Sequence, residues 1–139
     1  MRYRQATIAD AELLGEWNHQ LIRDEGHRNP MTPPELVERM REWLEGAYRA
    51  ILFGEEADLL AYALYREESD HIYLRQLFVR SERRSAGIGR ACLATLRSEI
   101  WPPRKRIVVE VLCGNSRAIA FYRSLGFGDY SQTLELFPK

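Results

Sequence analysis

The sequence predicts an α/β domain in the α+β sense: a central mixed, twisted sheet with helices on both faces. Two observations lead there. Apolar strand patterns first follow one another between turn residues, from Arg49 to Val79, and helical patterns then alternate with strands. The stretch Leu77 to Leu96, LFVRSERRSAGIGRACLATL, passes from an apolar strand through a basic turn with two glycines into a helix. Pro102-Pro103 stops that helix ahead of the apolar run Ile107 to Leu112. Strand 71–79, helix 87–100 and strand 107–112 thus read as one right-handed crossover between parallel strands. With 139 residues the chain is one domain, 1–139, large enough for a core of its own.

In chain order, Tyr3 to Ala6 is a short opening strand, and Thr7-x-x-Asp10 caps a helix that repeats Leu14, Trp17 and Leu21. From Arg23 to Met31 the pattern breaks into a polar loop, RDEGHRNPM. Thr32-Pro33-Pro34-Glu35 is a capping box with proline at the first helical position, and its helix carries Leu36, Met40, Trp43 and Leu44 on one face. Arg49 to Gly54 and Leu59 to Tyr65 form a hairpin around Glu55-Glu56-Ala57-Asp58. His71 to Val79 is long and free of proline, which predicts a central strand. Ile107 to Leu112, IVVEVL, is almost continuously apolar and is expected to be buried on both faces. Gly114-Asn115 opens a helix with Ala118, Phe121, Tyr122 and Leu125 on one side; Gly126-Phe127 ends it, and Thr133 to Phe137 is a closing strand.

Hydrophobic content of 45% and charged content of 29% are those of a soluble globular protein, and no apolar run is long enough to span a membrane. The first ten residues lack the apolar core of a signal peptide, so the expected location is cytoplasmic. Cys92 and Cys113 fall in apolar runs and read as buried thiols; without Cys-x-x-Cys or a histidine pair, no metal site is expected. Zero net charge argues against a nucleic-acid partner. The charge is uneven, however. Residues 80–106 hold eight basic residues against two acids, which suits a small polyphosphate better than a long polyanion.

The glycine turn is the reason to expect such a ligand. A helix start presents unpaired N–H groups and the positive end of a dipole, and so attracts phosphate. Glycines at 87 and 89 would remove the Cβ atoms that hold a pyrophosphate away, and Arg83 and Arg84 would add mobile charge. The turn is no P-loop, because Arg90-Ala91 follows its second glycine. It is no dinucleotide fingerprint either, because position 92 is Cys.

What fits is Arg-x-x-Gly-x-Gly, met by Arg84, Gly87 and Gly89 directly after a strand. With it, in order and at matching separation, stands Asn115-x-x-Ala118-x-x-Phe121-Tyr122-x-x-Leu125-Gly126-Phe127. The pair resembles the two acetyl-CoA landmarks of the GCN5-related N-acetyltransferase (GNAT) family. Residues 71 to 128 carry the resemblance; the first seventy match in element order alone.

The resemblance implies acetyl-CoA as co-substrate, no metal, and direct acetyl transfer from the thioester to a primary amine of a small molecule, peptide or protein. It implies a coenzyme site made by Leu77, Phe78 and Val79 (backbone groups for pantetheine and the oxyanion), by the turn Arg84, Ser85, Ala86, Gly87, Ile88, Gly89 and Arg90, and by Asn115 and Tyr122. Tyr122 holds the position of the family's acid. Its reference pKa of about 10 keeps the phenol protonated at neutral pH, so it has a proton to offer the leaving thiolate. Asn115 is open between bonding the cofactor and capping its helix. Many relatives carry a base on the signature strand, but HIYLRQLFV contains no acid. Glu110, the one charge in IVVEVL, is the candidate base: burial would raise its pKa, and its spacing to Tyr122 resembles that in ribosomal-protein alanine acetyltransferases. Its alternative is a structural pair with Arg75.

Specificity is expected from the loop bearing His19, Asp24, Glu25, His27 and Arg28, where Asp24 and Glu25 either receive a cationic amine or are merely solvated. A longer acyl group and a non-catalytic acyl-CoA sensor are the competing readings. Exposed strand edges leave a homodimer open.

Overall fold

In the computed structural model, which describes residues 1–84 and 86–139, five strands form one open mixed sheet in the order β1-β2-β3-β4-β5. The strands are β1 (Tyr3–Gln5), β2 (Tyr48–Glu55), β3 (Asp58–Glu67), β4 (His71–Val79) and β5 (Arg106–Val109). The helices are α1 (Ala11–Glu25), α2 (Pro33–Glu45), α3 (Ile88–Thr95, continued by a π turn to Ile100) and α4 (Ser116–Ser124). The first four strands are antiparallel neighbours, and β4 pairs with β5 in parallel.

The helix boundaries follow local chemistry. The Thr7 N–H donates to Asp10 Oδ2 at 2.7 Å, and Arg4 grips the same carboxylate with two bonds of 2.9 Å, holding it below its ordinary range. Thr32 and Glu35 close the expected box, with Thr32 N–H donating to Glu35 Oε1 at 2.9 Å. Gly26, at φ 70°, ends α1 in the left-handed region, and His27 N–H reaches back to Ile22 O at 3.0 Å. Helix α1 therefore runs through Arg23, Asp24 and Glu25, which the sequence suggested were loop. The α1–α2 crossing is tight at Gly15, where a Cβ would stand 2.5 Å from Val37 Cγ2 and 2.8 Å from its Cα.

Each sheet face has its own core. Leu14, Leu21, Met40, Leu52, Tyr62 and Phe78 pack under α1 and α2; Phe53, Tyr65, Ile72, Leu74, Leu93 and Leu96 pack under α3. Strand β4 supplies both cores because of a bulge. Leu64 pairs with Gln76 and Tyr65 with Leu74, so Arg75 has no partner and the alternation of side chains reverses across it. Ile72 and Leu74 point to α3, whereas Phe78 points to α1.

Several expectations are corrected. Strand β4 is interior as expected, paired with β3 on one side and β5 on the other, although the middle of the five is β3. Strand β5 stops at Val109 and has no buried residue, since it lies at the edge of the sheet and not between neighbours. Glu110 is accordingly beyond the strand and exposed, not buried. Residues 133–137 form no strand and have no ladder partner among the described residues. Cys92 is buried, its thiol pushed up to about 12 by desolvation, but Cys113 is exposed. No described helix is long and apolar enough to cross a membrane.

Candidate active site

The site is built where β4 and β5 part. Their pairing runs from His71 and Arg106 to Leu74 and Val109 and then ends. From Gln76 to Val79, β4 pairs only with β3, so the backbone of Leu77, Phe78 and Val79 has one edge without a strand partner among the described residues. The bulge at Arg75, which bends the strand and increases its twist, turns this segment away from β5.

After β4 the chain makes a short 3-10 turn, Ser81–Arg83, and enters α3 through Gly87. Gly87 sits at φ 76°, and a Cβ there would meet nothing within 4 Å. It serves the turn's left-handed backbone and leaves the helix start open. Gly89 has a different role from the one expected: a Cβ would stand 3.2 Å from the Phe121 ring, so its absence lets α4 approach α3. The two arginines are also not free charges over the helix start. Arg83 donates to Asp58 Oδ2 at 2.8 Å. Arg84 donates through Nε to Val79 O at 3.0 Å, pairs with Asp24, and lies 5.7 Å over the Phe78 ring. Ile88 and Ala86 border the open start, and Arg90 is exposed with a 3.3 Å bond to Ser124 Oγ. Ser85 lies outside the described residues.

On α4, Asn115 caps the helix, accepting the Ala118 N–H at 3.2 Å. Tyr122 is partly buried, with the Phe121 and Phe127 rings edge-on at 5.1 and 5.2 Å. Burial, and secondarily the Glu25 carboxylate, push its ionisation well above the ordinary phenol range, so the hydroxyl stays protonated.

Glu25 is the residue whose importance the sequence hid. It closes α1, and desolvation first, then neighbouring Asp24, push its carboxyl up to about 7. Its carboxylate adds to the rise of two tyrosines, Tyr62 of the core under α1 and Tyr122 packed against the core under α3. Tyr62 is fully buried and donates to Gln76 Oε1 at 2.8 Å. His27 Nε2 stands 3.7 Å from Glu25 Oε1; burial and then Arg39 and Arg75 lower its pKa, so it faces Glu25 as a neutral ring at pH 7. Glu110 is elsewhere engaged: it accepts the Tyr73 hydroxyl at 2.5 Å, and burial with that contact pushes Tyr73 up to about 12. Arg75, its expected alternative partner, instead lies 4.6 Å over the Trp43 ring. Beside α1 and the end of β4 an open groove of about 640 Å³ is lined by Trp17, His19, Gln20, Phe78 and Arg80.

This arrangement matches known proteins. The model of the acetyltransferase (GNAT) family matches residues 15–127, and the chain belongs to that family. A mutant of the BH1408 protein from Bacillus halodurans superimposes with a TM-score of 0.77 at 25% identity, over 100% of both chains. A predicted acetyltransferase with acetyl-CoA from Clostridium acetobutylicum gives 0.72 at 20% identity, over 98% of this chain and 95% of that one. The aminoglycoside N-acetyltransferase AAC(6')-Iy in complex with CoA gives 0.75 at 14% identity, over 99% and 94%; the last two likenesses are of fold alone. Curated protein sequences yield no match.

Proposed function

We propose that the protein is an acetyl-CoA-dependent N-acetyltransferase acting on a primary amine of a small molecule or peptide. The observation that carries this reading is the parting of β4 from β5 after Leu74 and Val109, next to the open helix start at Gly87. The gap would receive the pantetheine arm against the Leu77–Val79 backbone. The Ala86 to Arg90 start of α3 would receive the pyrophosphate, with Ser85 and Arg84 before it. The CoA and acetyl-CoA bound by similar structures support the same ligand.

In the reaction the neutral amine nitrogen attacks the thioester carbonyl carbon. Donors of the freed β4 edge would stabilise the oxyanion. The N–C bond forms, the C–S bond breaks, the amine proton leaves to a base, and the thiolate takes the Tyr122 proton. Burial keeps Tyr122 protonated at working pH and so leaves it a proton to give; the same burial makes it a weak acid, which delivers that proton only as negative charge builds on the sulfur. For the base, Glu25 is favoured over Glu110. A carboxyl titrating near about 7 is half available at neutral pH and strong enough to accept a proton, whereas Glu110 is exposed and tied to Tyr73.

Calorimetric titration with acetyl-CoA and CoA, followed by thiol release on an amine panel, tests the reading. Binding with turnover supports it. Binding without turnover over a broad panel points to an acyl-CoA sensor, and absence of binding overturns the site.

A further inference from the structure

Arg39 of α2 and Arg75 of β4 are two cations that the fold brings against one ring and supplies with no counter-charge. The Arg39 guanidinium lies 4.2 Å from the centre of the Trp43 ring, one turn on along α2, and that of Arg75 lies 4.6 Å from it. Their side-chain bonds go to neutral groups: Arg39 donates to Asn18 Oδ1 at 3.0 Å, and Arg75 to the Tyr48 hydroxyl at 3.2 Å. Neither forms an ion pair among the described residues. The acid one turn before Arg39, Glu35, is held by Thr32; Glu68 pairs with Arg66, and Glu110 accepts the Tyr73 hydroxyl.

The arrangement is costly for the folded chain. Arg39 Nε and the Asn18 amide nitrogen are buried with no hydrogen-bond partner in the protein, and Asn18 is 1% exposed. Burial and then the Arg75 charge lower the Arg39 pKa from its ordinary value. The place of the pair gives this cost a use. Both arginines lower the pKa of His27, whose Nε2 stands 3.7 Å from Glu25 Oε1. Glu25 itself takes its shift from burial and Asp24 and from neither arginine, so the pair stands nearer to His27 than to Glu25. Arg39 and Glu25 also both act on Tyr62, in the core under α1 and α2. Two cations and a carboxyl of raised pKa thus share one face of the sheet, set apart from each other.

We propose that Arg39 and Arg75 bind a carboxylate of the acceptor, so that the substrate is a small primary amine whose carboxylate lies several bonds from the nitrogen. This rests on the acetyltransferase reading above and names the acceptor within it. One carboxylate supplies the counter-charge that both guanidinia lack, and its two oxygens match the donor fork of an arginine. The Trp43 ring holds both guanidinia beforehand, which reduces the freedom lost on binding. With the carboxylate there, the amine at the other end of the molecule is directed toward Glu25. The nitrogen takes the acetyl group and gives up its proton, and the carboxylate is unchanged by the reaction. A polycationic acceptor would bring like charge against the pair and is selected against.

Calorimetric titration of the CoA complex with β-alanine, γ-aminobutyrate, δ-aminovalerate and ε-aminocaproate, each beside its carboxamide, tests this. At least one acid is expected to bind roughly tenfold or more tightly than its amide. Arg75 is exposed and has no partner in the ladder, so Arg75→Gln should fold as the wild type does and lose that preference. In thiol release from acetyl-CoA, the same variant should raise KM for the preferred acid at least roughly tenfold and leave KM for acetyl-CoA unchanged. No preference for the acid in any pair, a preference that survives Arg75→Gln, or tighter binding of kanamycin or phosphoethanolamine than of every acid would each overturn the proposal. An acid bound through Arg75 without thiol release would uphold the carboxylate site and overturn acetyl transfer instead.

Discussion

Asp24 and Arg84 stand sixty positions apart in sequence and form one ion pair between the last turn of α1 and the turn that opens α3. The Arg84 Nε bond to Val79 O fixes the guanidinium at the end of β4 as well. Helix α1 is therefore fastened to the turn that would hold the coenzyme. We expect Arg84→Ala to weaken CoA binding about tenfold, through loss of the turn's anchorage to Val79 and Asp24. Asp24→Asn, which keeps the guanidinium, should change it less than about threefold. Calorimetry with CoA reads both, and an Arg84→Ala protein of wild-type affinity would remove this arginine from the site.

Tyr122→Phe removes one hydroxyl from a packed aromatic cluster. Turnover should fall on the order of 10²-fold while the dissociation constant for CoA stays within about threefold. Steady-state kinetics with a fixed amine separates the two, and unaltered kcat would exclude the tyrosine as proton donor.

Glu25 sets an expected pH dependence. If it is the base, kcat/KM rises with pH up to about 7 and then levels, and Glu25→Gln flattens that limb and lowers activity about 10²-fold. Glu110→Gln should leave the limb in place; a limb lost with Glu110 and kept with Glu25 would reverse the assignment. Stability gives an independent check of sign. A carboxyl raised in the folded state binds its proton more tightly folded than unfolded, so stability falls as pH rises from about 4.5 to about 7. The Gln variant should lack that decline and melt higher than wild type above pH 7, to a degree reduced by the side chain's partial solvation.

The two glycines of the turn should respond differently. Gly87→Glu places bulk and negative charge in open space before the helix start and should abolish CoA binding, with a further cost of about 1 kcal/mol for a left-handed non-glycine residue. Gly89→Val instead meets Phe121 and should disturb α4, lowering kcat through the neighbouring Tyr122 more than it weakens CoA. Equal effects on CoA affinity would contradict this division.

Gly15→Ala tests packing away from the chemistry. Its Cβ would stand 2.8 Å from the Val37 backbone, so the helices must move apart, at a cost of about 1–3 kcal/mol. A urea midpoint lowered without loss of kcat is the expected outcome.

The elements legible in the sequence were those set by local chemistry. The Thr32 box, the Gly126 stop and the strand–turn–helix around Gly87 all depend on neighbours a few residues away. What escaped depends on neighbours in space. IVVEVL has the composition of a strand buried on both sides, and nothing within it states that it lies at an edge, so Glu110 was assigned a burial it does not have. RDEG at the end of α1 has the polarity of a loop; that Glu25 would be desolvated there, its charge reaching Tyr62 and Tyr122, depends on residues 37 and 97 positions later. Thr133 to Phe137 has the alternation of a strand whether or not its own sheet supplies a place for it. The pairing of Arg84 with Asp24, which takes its charge away from the helix start, is equally invisible to spacing.

The unpaired Arg75 also sets a phase. Every residue of β4 after it faces opposite to the side that uninterrupted counting would assign, and both cores and the gap beside β5 depend on that parity. Deleting Arg75 would close the bulge and leave Gln76, Leu77, Phe78 and Val79 facing as they do now, because Leu74 and Gln76 already stand opposite the consecutive residues Tyr65 and Leu64. What would go is the bend that turns the end of β4 from β5. In this strand the loss of one residue would spare the packing and cost the opening.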